Sequence, residues 1–438
     1  LYFTEIGQQQ VSDTSALTLD CNLQIVPNKL QSYSIELEGT NSSGNLGASL
    51  NFLYQHRNLF KRAEVLNLKL NTSYEALPKE TKGYGSMQEY GAEANILFPR
   101  MLLPFLEKEN FVKKYNPKTN LLTAYNYQRR PEYERTMFVS RFGYNWQGNR
   151  YVSHIVTPID LNVIKLPYID SAFITHIDTT SYLAYSYENT FIAGLSYSFV
   201  YTNRKIRRNQ DYYYFRFNLS TSGNMVSLLD NLFNDNASKT GNEVFGIEYS
   251  QYVKGDFNLM YNTVINDANS IVYRGFFGLG LPYGNSRALP FEKQYYTGGA
   301  NDIRAWPVRS LGPGSHVPEG TTFYNQTADM KINFNIEYRF KIAWVLEGAF
   351  FVDAGNIWAV SKEDTRPGAR FQFGSFLSDM AVGSGVGTRF DFSYFLFRLD
   401  FGFKMRDPQI QDGSKWVIGN PGYNFSQMTF HLAIGYPF

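Results

Sequence analysis

A chain of 438 residues is long for one soluble domain; 17% of it is aromatic, with 33 Tyr and 36 Phe, and its net charge is only +2. That balance lacks the basic footprint of a nucleic-acid binder. A mean hydropathy of −0.33, with no apolar run of about 18 residues, gives no transmembrane helix. The single cysteine, Cys21, excludes an intramolecular disulfide and reads as a plain structural thiol.

The opening "LYFTEIGQQQ" has no basic-then-apolar leader pattern, so the chain reads as an internal or processed fragment. Within residues 1–30, Leu17, Leu19, Cys21 and Leu23 alternate with polar neighbours before "PNK". A plug or a disordered tail is the plain alternative there. From residue 31 onward a period of two dominates. Tyr33, Ile35 and Leu37 oppose Ser34, Glu36 and Glu38. In "KINFNIEYRF", Ile332, Phe334, Ile336, Tyr338 and Phe340 oppose Lys331, Asn333, Asn335, Glu337 and Arg339. "FLFRLDFGFK" repeats the pattern, and "TFHLAIGYPF" aligns Phe430, Leu432, Ile434, Tyr436 and Phe438.

Strands are expected at 32–41, 46–56, 63–74, 86–98, 120–129, 135–147, 150–161, 187–202, 210–222, 249–263, 268–281, 329–340, 344–353, 383–391, 394–405 and 427–437. A soluble sandwich or propeller would turn their apolar faces inward; a membrane barrel turns them to lipid. The strands reach the roughly 9–11 residues a tilted crossing needs, their apolar face is heavily aromatic, and no repeat near 40–50 residues is visible. The expected fold is all-β: a transmembrane antiparallel barrel of about 16 strands, an even number, over residues 31–438. The long connections 162–186, 223–248, 282–328, 354–382 and 406–426 follow odd-numbered strands. The exception is 99–119, which follows an even one and has the Leu, Phe and Lys content of a short amphipathic helix.

The connection after the eleventh strand holds "TGGANDIRAWPVRSLGPG", residues 297–314. Its glycines and prolines suit a loop, while Ile303 and Trp306 suit a docked one. This stretch resembles the barrel-assembly superfamily of outer-membrane proteins. That is the BamA/TamA-like group with POTRA domains (the bacterial surface antigen family), which also includes the two-partner secretion translocators. Gly298 and Gly299 match the family's Gly-Gly, and Ile303, Arg304, Ala305 and Trp306 its loop tip, with Ala305 in place of glycine. "FFVDAGNIW" (350–358), "GVGTRFD" (385–391), "FRLDFGF" (397–403) and terminal Phe438 extend the resemblance over 31–438.

The resemblance implies a loop folded into the lumen, with Arg304 paired to Asp353 and Glu337 as the acidic position on the preceding strand. An arginine cannot shed its charge, so it needs such partners. Ordinary lumen charges solvated by water are the plain alternative. Residues 1–30 are similar to the last strand of a POTRA domain and its linker. The implied function is insertion of other barrel or surface proteins into the outer membrane of a Gram-negative bacterium. The implied partners are membrane lipids, client proteins and periplasmic or inner-membrane accessory proteins. The "IRAW" tip leans towards a TamA-like specialist of the TamL type. The implied mechanism is a lateral seam between Ser34, Glu36 and Glu38 on the first strand and His431, Ala433, Gly435 and Phe438 on the last. There "EGTNSSG" (38–44), Gly435 and Pro437 would weaken pairing. A polypeptide-secretion translocator and a passive porin are the alternatives.

An enzyme is not expected. His56, His154, His176, His316 and His431 lack metal-ligand spacing, Cys21 stands alone, and no Gly-x-Ser-x-Gly elbow occurs. No metal or cofactor is called for.

Overall fold

In the computed structural model, sixteen strands pair in chain order into one antiparallel sheet. The structure describes residues 29–42, 45–76, 85–102, 109–171, 188–204, 210–233, 243–317, 326–392, 394–417 and 428–438. The strands are β1 (Gln31–Ser42), β2 (Asn45–Arg57), β3 (Val65–Ala76), β4 (Ser86–Phe98), β5 (Lys118–Arg129), β6 (Tyr133–Asn149), β7 (Val152–Ile169) and β8 (Thr190–Thr202). They continue as β9 (Tyr212–Ser222), β10 (Tyr252–Asn266), β11 (Asn269–Pro282), β12 (Met330–Ala343), β13 (Leu346–Trp358), β14 (Ala381–Asp391), β15 (Leu396–Arg406) and β16 (Thr429–Ile434). The terminal strands of the sheet are β1 and β16. Of the expected end of a POTRA domain and its linker, residues 1–30, all but residues 29 and 30 lie outside the described residues, Cys21 included.

The alternation resolves into an inside-out pattern. On β12 and β13 the apolar side chains Phe334 and Phe350 are each 54% exposed, whereas Asn335, Glu337 and Asp353 have no exposed surface. A water-soluble sheet would be built the other way round; an apolar exterior with a polar interior is the pattern of a transmembrane barrel. Consecutive antiparallel pairing puts all odd-to-even connections on one rim, and that rim carries the long loops.

Some boundaries differ from the sequence reading. β7 runs on to Ile169, because a register shift between Thr157 and Asp160 lets the strand pass Pro158 without breaking the ladder. β13 continues to Trp358. β16 stops at Ile434: Gly435 takes φ +84°, a left-handed conformation that ends the extended run. That turn corrects the expected alignment of Tyr436 and Phe438 with the lipid-facing row, since both fold into the lumen. The even-to-odd link at 99–119 does carry a helix, α1 (Glu109–Tyr115). A second helix, α2 (Asn224–Phe233), lies in the loop after β9, where only a long connection was expected.

Candidate functional site in the lumen

The loop between β11 and β12 folds back into the barrel, and its own sequence makes the fold-back compact. Gly298 and Gly299 adopt φ of +92° and +95°, and an added Cβ on either would run into Pro307 or Val308. Their turn lets the Gly299 N–H donate to the Trp306 carbonyl at 2.8 Å, while the Trp306 N–H donates to the Ile303 carbonyl at 3.2 Å. Ile303, Ala305, Trp306 and Leu311 then cluster with Ala381 of β14, all fully buried or nearly so. The wall is notched to admit them: Gly383 of β14 lies against Ala305, and Gly402 of β15 lies against the main chain of Arg304. Any larger side chain at 402 would occupy the space of the tip backbone.

Arg304 is wholly buried at the centre of this contact. Its Nε and Nη2 donate to the two oxygens of Asp353 at 2.8 and 2.9 Å, and its main-chain N–H adds a third bond to the same carboxylate at 3.1 Å. Nη1 donates to Glu337 at 2.5 Å, and the guanidinium lies 3.5 Å above the Phe351 ring centre. This planar fork, bonded through all three of its nitrogens and covered on one face, is what arginine provides and lysine cannot. Burial alone would lower the Arg304 pKa, but Asp353 and Glu337 carry it above the ordinary arginine value. Asn335 braces the acceptor, donating from one amide nitrogen to Asp353 and to the Asp302 carbonyl, each at 2.9 Å.

The pair belongs to a larger charged cluster that the sequence reading did not assign. Glu337 also accepts from Arg339 at 2.7 Å and faces Arg389 at 3.1 Å; Arg389 in turn donates to Asp400 at 2.6 Å. Arg398 stands 3.4 Å from Asp400 and donates to Asn301 of the loop at 2.8 Å. Arg389, Arg398 and Asp400 sit inside the motifs "GVGTRFD" and "FRLDFGF", and strict alternation already places Arg398 with Asp400 on the polar face. Periodicity could therefore have nominated them, but their partners depend on strand register.

The tip also touches the last strand. His431 of β16 stands with Nε2 2.9 Å from the Arg304 carbonyl, and the Thr429 hydroxyl donates to the Ala305 carbonyl at 3.0 Å. Ala433 pairs with Arg398 in the β15–β16 register. Gly435 and Phe438, expected along the seam, lie beyond the strand. Gly435 makes the turn, and Phe438 stands in the lumen with its ring centre 5.7 Å from the Arg304 guanidinium carbon. The Tyr436 hydroxyl donates to Glu347 at 2.9 Å, and the Tyr436 ring lies 4.1 Å below the Arg339 guanidinium. On the opposite terminal strand, Ser34, Glu36 and Glu38 are exposed and pair only with Leu53, Asn51 and Ser49 of β2. The tip thus reaches β16, and the β1 residues stand apart from it.

The loop's near end grips the far wall. Glu292 accepts from Arg135 of β6 at 2.8 Å, Lys293 stands 3.6 Å from Asp160 of β7, and Lys254 of β10 donates to the Lys293 carbonyl at 2.6 Å. One connection is therefore tied to the barrel wall at both ends.

These features define a transmembrane β-barrel built around an inward-folded loop whose arginine is locked to acidic residues of the wall. Residues 31–438 match the Omp85 superfamily domain, and the chain belongs to that superfamily. Among solved structures it is similar to BamA from Haemophilus ducreyi lacking POTRA domains 1–3, at 12% identity over 86% of this chain and 67% of that one, with a TM-score of 0.54. It is also similar to CdiB from Escherichia coli, at 10% identity over 94% and 63% of the two chains, TM-score 0.50. CdiB from Acinetobacter baumannii follows at 12% identity over 87% and 57%, TM-score 0.47. At these identities the likeness is one of fold. The chain spans less than two thirds of either CdiB.

Proposed function

We propose that this barrel is an assembly factor of a Gram-negative outer membrane, inserting client barrel or surface proteins through the seam between β1 and β16. The observation that carries the reading is the slight hold on β16. Its ladder to β15 covers six residues, Thr429 to Ile434, whereas β1 pairs with β2 over twelve. A strand held by a short ladder exposes main-chain N–H and C=O groups at low cost, and such an edge can template an incoming strand. The loop tip, bonded to β16 through His431 and Thr429, steadies a terminal strand whose one ladder among the described residues is the short one to β15. A loop tied to both walls of the lumen supports this reading over a passive porin. Accessory proteins reached through POTRA domains, and the narrower role of a TamA-like specialist resting on the Ala305–Trp306 tip, belong to the same proposal. The chemistry uses no covalent step.

The test is a disulfide across the seam in a Cys21→Ser background. Cysteines at Ser34, Glu36 or Glu38 are combined with Ala433→Cys, which leaves the His431 contact intact. Disulfides need Cα separations of about 4.4–6.8 Å, so only matched pairs close. Closure is expected to stop client assembly, and reductant to restore it. A control bridge between Tyr338→Cys and Phe350→Cys, register partners on β12 and β13, is expected to be silent. Persistent assembly with the seam fully crosslinked would transfer the function to the lumen and favour a secretion translocator.

A further inference from the structure

The described parts of the loop between β9 and β10, residues 223–233 and 243–251, fold over the outside of the wall. Leu161 and Val163 of β7 pair with Ala193 and Phe191 of β8, and directly opposed residues share a face. That face is the exterior: Leu195, two residues on from Ala193, is exposed, while Ile192 points inward to Leu289 of the lumen loop. Onto this exterior patch pack Val226 of α2, Val244 and Ile247 of the short hairpin Glu243–Val244 and Ile247–Glu248, and Tyr249. Asn224 donates to Thr221 at 2.7 Å and accepts from Tyr283 at 2.6 Å, fixing the start of the helix to the rim of β9 and β11.

The surface that remains outermost has the wrong polarity for water. Met225, Leu228 and Leu229, at helical spacing i, i+3 and i+4, are 61%, 62% and 50% exposed, and Phe245 at the hairpin turn is 92% exposed. An amphipathic helix that turns its apolar stripe away from the protein is suited to a membrane interface. This stripe adjoins the exposed apolar row of Leu219, Val253 and Leu281 on the barrel exterior, which the barrel fold already presents to lipid.

We infer that α2 and the hairpin after it form an external collar that seats among the lipid acyl chains at the long-loop rim. In the strand order β8 and β9 stand halfway between the two terminal strands, so the collar anchors the wall opposite the seam. The inference rests on the membrane setting of the barrel and not on what the seam does.

The test uses the full chain with Cys21→Ser, reconstituted in phosphatidylcholine vesicles with brominated acyl chains. Single cysteines carry the environment-sensitive label NBD at Leu228, Phe245, Leu219 or Asp412. Leu219→Cys reports the barrel exterior, and Asp412→Cys reports an exposed polar loop on the same rim. Labels at 228 and 245 are expected to lose emission to bromine as the label at 219 does, while the label at 412 keeps its emission. Quenching at 219 with none at 228 and 245 overturns the collar alone, leaving the membrane barrel standing. Shielding of 228 and 245 from both bromine and aqueous iodide would place a protein there instead, a second copy included, and also overturns it. Loss of quenching at 219 as well would overturn the membrane setting and the collar with it.

Discussion

Arg304 and Asp353, on a loop and a strand 49 residues apart in sequence, are joined by a paired hydrogen bond of 2.8 and 2.9 Å with neither side chain exposed. Two charges so placed have given up water, and each depends on the other for compensation. Such a bond is a lock: while it holds, the loop stays in; once either partner goes, the other is a buried charge with no equal replacement.

Arg304→Ala is therefore expected to destabilise the barrel by about 3–5 kcal/mol, the usual cost of stranding half of a buried pair. Asp353→Asn should act in the same direction. Arg309→Ala is expected to be mild. Arg309 is half-buried over the rings of Phe291 and Tyr296, 4.7 Å from each, and cation–π contacts contribute about 0.5–2 kcal/mol. Denaturation midpoints of the heat-modifiable folded band, with client assembly alongside, compare the variants. Equal losses from the two arginine variants would refute the lock.

Gly402→Val should expel the tip without touching a charge. A Cβ at 402 meets the Arg304 main chain, whereas one at Gly374 meets nothing within 4 Å. Overpacking of this kind costs about 1–3 kcal/mol, which works against the lock and lets the tip leave more often. Limited trypsin digestion reads the outcome: cleavage after Arg304 or Arg309 is expected in Gly402→Val and absent from Gly374→Val. Protection of both would mean the wall, not the loop, gives way.

Replacing Thr429 with Val and His431 with Phe removes the two side-chain contacts that tie β16 to the tip. Each neutral hydrogen bond contributes about 1 kcal/mol, a large share for a strand with a six-residue ladder. Hydrogen–deuterium exchange over β16 is expected to quicken while β12 and β13 keep their protection. Unchanged exchange in β16 would show that the tip does not steady the seam.

Much of this molecule is local in origin and so legible in the chain. A period of two states which residues share a face. Its run lengths state how many crossings there are, and glycine and proline clusters state where the chain turns. The tip at Arg304, and the carboxylates at Glu337 and Asp353, were legible through the resemblance of their motifs. What periodicity could not say is who meets whom across the lumen. Arg398 and Asp400 stood on the polar face of their strand, but the joining of Arg389 to Glu337 and Asp400 depends on a register set by the whole sheet. Nor could alternation foresee its own inversion at the C-terminus. One left-handed residue, Gly435, carries Tyr436 and Phe438 from the lipid face to the arginines. The outward fold of α2 is likewise a tertiary decision. Its apolar stripe would have served equally well for a core, and only the packing of Val226, Ile247 and Tyr249 on the outer wall turns it towards lipid. Sequence alone determined most of the strands and their faces, and the resemblance of its motifs nominated Arg304, Glu337 and Asp353. Which of the barrel's surfaces each connection covers was settled by three-dimensional packing, because burial and register are properties of all the strands together.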